Sequence, residues 1–140
     1  MQTYAGTLGA DIACDERVHK AAKHVERMDP AVLDTAGAVT YTAAEVLGGL
    51  IVRDCNGGAR SDVLPTAALL LAAMRSEQVG DIVKCLVVNN SDAAETITIT
   101  AGSGGDFTQI ADTRVVPQNT SRMLYIRVTD VTTPAYLVYM

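Results

Sequence analysis

The stretch Ile82 to Thr100, IVKCLVVNNSDAAETITIT, decides the fold. Successive residues of a strand point to opposite faces. Ile82, Leu86 and Val88 share one parity, interrupted by Lys84, and Val83, Cys85 and Val87 share the other. Apolar groups on both faces predict a central strand. Glu95 to Thr100 alternates more strictly, with Ile97 and Ile99 on one side and Thr96, Thr98 and Thr100 on the other. That is the pattern of a half-buried strand with a wet threonine face. Between the two, Asn89-Asn90-Ser91-Asp92 supplies side chains that hydrogen-bond nearby backbone and tolerate left-handed geometry, so the pair is expected as a hairpin joined by a polar turn.

On the C-terminal side the same texture repeats. Gly102 to Asp106 (GSGGD) is expected as a flexible, solvent-facing loop. Phe107 to Ala111 and Thr113 to Val116 are expected as short strands, followed by a turn at Pro117-Gln118-Asn119. Ser121 to Thr129 alternates as a long strand with mixed faces, and Ala135 to Met140 forms a last strand after the break at Thr132-Thr133-Pro134.

On the N-terminal side, Thr66 to Arg75 predicts a helix opened by Pro65 and apolar nearly all round, which implies burial in the domain or against a neighbouring subunit. Leu50 to Arg53 is a predicted strand followed by a turn at Asp54 to Ala59. Thr42 and Glu45 match a capping box, and Gly48-Gly49 stops that short helix. Val39 to Tyr41 is a short predicted strand, and Ala31 to Ala38 a connector. Asp11 to Met28 predicts a weakly amphipathic helix ended by Asp29-Pro30, and Met1 to Ala10 has the composition of an arm that orders on a partner.

Together these signals predict a mainly β chain, an antiparallel β-sandwich, jelly-roll-like or a small barrel. One or two short helices accompany it. The expected division is an arm over residues 1–38 and a β-domain over 39–140.

The chain has 140 residues, 49% hydrophobic but 4% aromatic and without Trp, so its core must be aliphatic. A net charge of −5 argues against nonspecific binding to nucleic acid or anionic membrane. Cys14, Cys55 and Cys85 are odd in number and lack CxxC spacing, which suggests neither a disulfide framework nor zinc and points to a reducing compartment. No secretory leader and no membrane-spanning run is expected; PTAALLLAAM is too short to cross a bilayer.

Catalytic chemistry finds no support. His19 and His24 lie five apart and fall on different faces of a helix, so metal ligation would need an outside partner. The GSGGD segment lacks the GxxxxGK[ST] pattern of a phosphate loop. No GxSxG elbow accompanies the Ser, Asp and His residues. The expectation is a non-enzyme without metal or cofactor. The excess of apolar surface instead suggests homo-oligomerisation.

The segments TAAEVLGGLIVRD, NGGARSDVLPTAALLLAAM, VGDIVKCLVVNNSDAAETITITAGSGG and QNTSRMLYIRVTDVTTPAYLVYM, in that order over Thr42 to Met140, resemble a family of small structural proteins of tailed bacteriophages. That resemblance implies a capsid decoration or cement protein, a homotrimer on the outer capsid surface, assembled in the host cytoplasm and tying neighbouring copies of the major capsid protein together. On this reading Met1, Tyr4, Leu8, Ile12, Val18 and Val25 belong to a capsid-binding arm. Leu69, Leu70, Leu71 and Met74 are candidates for core or trimer packing. The alternatives are a tail or head fibre domain and a carbohydrate-binding module, the latter with Tyr125 or Tyr136 as candidate contacts.

Overall fold

A computed structural model describes residues 27–108 and 111–140, the side chains of 111 and 112 excepted. Residues 1–26 of the arm expected over 1–38, with all but the last two residues of the helix expected over Asp11 to Met28, lie outside the described residues, as do all six arm positions named above, while β1 falls in the described remainder of that arm.

The described chain is mainly β, with two sheets and few helices. In chain order the elements are β1 (Asp29–Asp34), α1 (Ala43–Leu47), β2 (Gly49–Asp54), β3 (Arg60–Val63), α2 (Ala67–Ala73), β4 (Ile82–Asn89), β5 (Ile97–Thr100) and β6 (Gly105–Phe107). A 3-10 turn (Ala111–Arg114), β7 (Val115–Val116), β8 (Ser121–Asp130) and β9 (Ala135–Tyr139) follow. The larger sheet has six strands in the order β1-β2-β4-β8-β9-β6, and the smaller has three in the order β3-β5-β7.

Both sheets are mixed rather than antiparallel as expected. β1, β2 and β4 run parallel to one another, as do β3 with β5 and β6 with β9. Parallel neighbours need crossover connections, and here α1 lies between β1 and β2 while β3 and α2 lie between β2 and β4. The antiparallel pairs are β4 with β8, β8 with β9 and β5 with β7.

β4 and β5 form strands, as their alternation predicts, but they are not a hairpin: each belongs to a different sheet. Asn89, at the end of β4, is fully buried and makes the separation possible. Its Nδ2 donates to Glu95 O at 2.8 Å and Val116 O at 2.9 Å, while its Oδ1 accepts from Ser91 N at 3.1 Å. One amide thus joins the end of the large sheet to the strands of the small one.

The core lies between the sheets and is mostly aliphatic, with Tyr41 and Tyr136 as its buried aromatic members. Ile51, Cys85, Val87, Leu124, Ile126, Tyr136 and Val138 of the large sheet meet Ile97, Ile99 and Val116 of the small one, with Val46, Ala67 and Leu70 from the helices. Burial pushes the Cys85 thiol up to about 12.

Five local expectations change. Val39 to Tyr41 makes an isolated bridge from Thr40 to Val63 rather than a strand, and the strand expected over Thr113 to Val116 shrinks to β7, because a 3-10 turn runs through Arg114. Ala31 to Ala38, expected as a connector, contains most of β1, whose Ala31 and Leu33 pack on the core. GSGGD, expected as a flexible solvent loop, leads into β6 through close approaches: a Cβ on Gly104 (φ +79) would sit 2.7 Å from Pro134 O, and Gly105 lies flat against the Tyr136 ring. These glycines are where other residues will not fit. α2 is shorter than expected and only half buried, because Ala67, Leu70 and Leu71 share one helical face. The capping box at Thr42 and Glu45 forms as predicted, with Glu45 N donating to Thr42 Oγ1 at 3.2 Å and Thr42 N to Glu45 Oε2 at 2.7 Å.

Candidate functional site

The inner face of the six-stranded sheet carries the core; its outer face carries a second apolar field. Strand parity assigns each residue to one face, and pairing register aligns them into rows. One row runs Val32, Val52, Val88, Ser121, and the next Pro30, Leu50, Leu86, Met123. Lys84, Tyr125 and Tyr139 form a third, and Ile82, Arg127, Leu137 and Asp106 a fourth. Val32 is 72% exposed, Ile82 55% and Tyr125 42%, with Tyr139 also exposed. The small sheet and both helices contribute to the core on the inner side, so among the described residues this outer face has no second layer. A broad apolar sheet face of this kind marks an interaction surface on a folded chain.

The inner side of the same strands contains a buried charged network. Arg53 and Asp62 are fully buried and paired, Nε to Oδ2 at 2.9 Å. Most of the remaining valences are filled. Asp62 Oδ2 also accepts from the Tyr41 hydroxyl at 2.8 Å, and Oδ1 accepts from Val39 N at 3.0 Å. The guanidinium donates to Thr35 O at 2.9 Å, to Gly37 O at 2.5 Å and to Asp54 O. Burial first, and the neighbouring Asp62 carboxylate second, raise the Tyr41 phenol well above its usual range. Enclosed and densely hydrogen-bonded, this network holds β2, β3 and the turn after β1 in register, and its two charged side chains are closed off from solvent.

Among the residues singled out for packing, Leu70 and Leu71 are in the interior and Met74 packs partly against the core. Leu69 points outward, 62% exposed. Of the two tyrosines considered as sugar platforms, Tyr136 is buried, its hydroxyl donating to Pro65 O at 2.9 Å and accepting from Gly102 N at 3.1 Å. Tyr125 is exposed beside Tyr139, its partner in register.

The outer-face field went unmarked as a unit in the sequence. Its signal is the presence of apolar residues at both parities in GLIVRD and IVKCLVVN, and its extent depends on strand order. Compared with protein-family models, curated proteins and solved structures, the chain matches none.

Proposed function

We propose that this protein is a structural virion module, a capsid decoration protein that self-associates as a homotrimer and binds the major capsid protein on the outer surface of a phage head. The fold reading that goes with it is a sandwich-like β-module with an N-terminal arm. The observation that carries the proposal is the apolar outer face of the six-stranded sheet, running from Val32 through Leu50, Val52, Leu86 and Val88 to Tyr125 and Tyr139. Its exposed apolar side chains, Val32, Ile82, Tyr125 and Tyr139, are of the kind that further copies or a capsid lattice would bury. The segment resemblance over Thr42 to Met140 supplies the virion context. Residues 1–28 are the proposed attachment arm, where many modest contacts gain strength through linkage.

The test is the solution mass of the 14.7 kDa chain by light scattering, paired with sedimentation against capsids lacking decoration. A trimer that cosediments supports the proposal. A monomer that fails to bind capsids overturns it. Val32→Lys together with Tyr125→Lys is expected to shift the mass toward monomer without unfolding the chain, since both side chains are exposed.

A second reading has one specific observation in its favour. Tyr125 and Tyr139 stand side by side and exposed, an aromatic pair of the kind that stacks on sugar rings. Glycan binding lost in Tyr125→Ala would favour this carbohydrate-binding reading over the decoration protein.

A further inference from the structure

We propose that Asp54, Asp92 and Glu95 form a divalent-cation site of the calcium type, independent of the self-association surface. Asp54 ends β2, and Asp92 and Glu95 lie in the connection from β4 to β5, so the fold brings one carboxylate to a pair distant from it in the chain. One oxygen from each lies within 4.8 Å of the other two.

Glu95 supplies the independent sign that something is held there. It is 6% exposed, and its Oε1 accepts from Gly57 N at 2.9 Å. Its Oε2 is buried and has no hydrogen-bond partner. A buried carboxylate oxygen without a partner is costly, because it has given up water and received nothing in return.

The neighbouring charges do not supply the missing partner. No lysine or arginine among the described residues forms an ion pair with Asp54, Asp92 or Glu95. Arg53, the nearest in sequence, is turned to the opposite face and bound to Asp62. Arg60 directs its Nε to Cys55 O at 3.3 Å. Asp34 pairs with Asp54 in register and accepts from Asn56 Nδ2 at 3.0 Å, which adds negative charge nearby.

An all-oxygen, all-carboxylate set selects a hard cation over zinc or copper. Two oxygens on one ion lie no further apart than twice the metal–oxygen distance, about 4.6–5.2 Å for calcium and about 4.0–4.2 Å for magnesium. Separations within 4.8 Å lie inside the calcium limit, and the flexible coordination of calcium, unlike the strict octahedron of magnesium, tolerates ligands drawn from a strand end and a loop. Bound there, the ion would link the end of β2 in the large sheet to the entry of β5 in the small one.

The test uses the full chain stripped with EDTA, then titrated with calcium chloride and separately with magnesium chloride in a calorimeter, with thermal melts in parallel. Expected are saturable binding of one calcium ion per chain, weaker magnesium binding and a Tm that rises with calcium concentration. Asp92→Asn, on an exposed loop, and Glu95→Gln, which keeps an acceptor for Gly57 N, should each weaken calcium binding by roughly tenfold or more. Absence of both heat and Tm shift up to about 10 mM calcium, beyond the weakest range of protein calcium sites, would overturn the proposal. Undiminished affinity in both variants would do the same, and magnesium binding as tight as calcium would overturn its calcium type.

Discussion

Arg53 and Asp54 are consecutive residues that meet opposite electrostatic solutions. Arg53 faces inward, where its Asp62 partner is satisfied by a guanidinium, a phenol and a backbone amide. Asp54 faces the other way, toward Asp92 and Glu95, where carboxylates gather without a basic partner among the described residues. The contrast shows that burial of charge is not itself a sign of function. The inner network pairs its charges and specifies register; the outer cluster leaves its carboxylates without an ion pair, and an unpartnered buried oxygen is what calls for a ligand.

Breaking the inner network should have the largest effect. Asp62→Ala strands a buried guanidinium and is expected to cost about 3–5 kcal/mol in urea denaturation. A loss under about 1 kcal/mol would mean that the network is not the register device described here. Tyr41→Phe removes one donor and leaves Asp62 two others, so about 1–3 kcal/mol is expected.

Alkaline pH sharpens the same contrast. Burial raises Tyr41, Tyr136 and Cys85 above their ordinary values. The unfolded chain therefore gives up these protons first. Their contribution is complete below the ordinary values, near 9 for the thiol and 10 for the phenols, and is lost as pH climbs beyond them. Tyr41 alone should contribute a slope on the order of 1.4 kcal/mol per pH unit above its ordinary value. Tyr41→Phe should flatten the decline measured by chemical denaturation from pH 9 upward.

The smallest effect belongs to the outer cluster. Glu95→Gln in EDTA removes a charge that has no ion-pair partner, so stability should change by less than about 1 kcal/mol, with a gain more natural than a loss. A loss as large as that of Asp62→Ala would erase the distinction between the two sites.

What was legible in the sequence was local. The alternation of β4, β8 and β9, the Thr42–Glu45 capping box and the stop at Gly48-Gly49 depend on near neighbours and appear where expected. Pairing was not legible, because a polar turn between two strands reads alike whether it closes a hairpin or crosses between sheets. Here the inward turn of Asn89 decides, and nothing near it in sequence announces that direction. β1 escaped notice because an edge strand buries little: only Ala31 and Leu33 pack on the core. The glycines of GSGGD indicate crowding rather than freedom, a reading that requires knowing that Tyr136 and Pro134 lie against them. Arg53 and Asp62 read as solvated charges until the fold encloses them. The carboxylate cluster was invisible for the same reason as the crossover, since Asp54 at the end of β2 meets Asp92 and Glu95 of the β4–β5 connection only in the fold.

The strand order of the large sheet has a consequence for synthesis on the ribosome. β2 and β4 lie side by side in the middle of the sheet, yet the strand that completes β4 on its other edge is β8, made some thirty residues later. Until residues 121–130 emerge, β4 presents an unpaired apolar edge, and the parallel β1-β2-β4 ladder must persist on non-local contacts that form slowly. The nascent chain therefore passes through a stage in which β4 lacks its second neighbour. The large sheet is therefore closed around β4 only after β8 has been made.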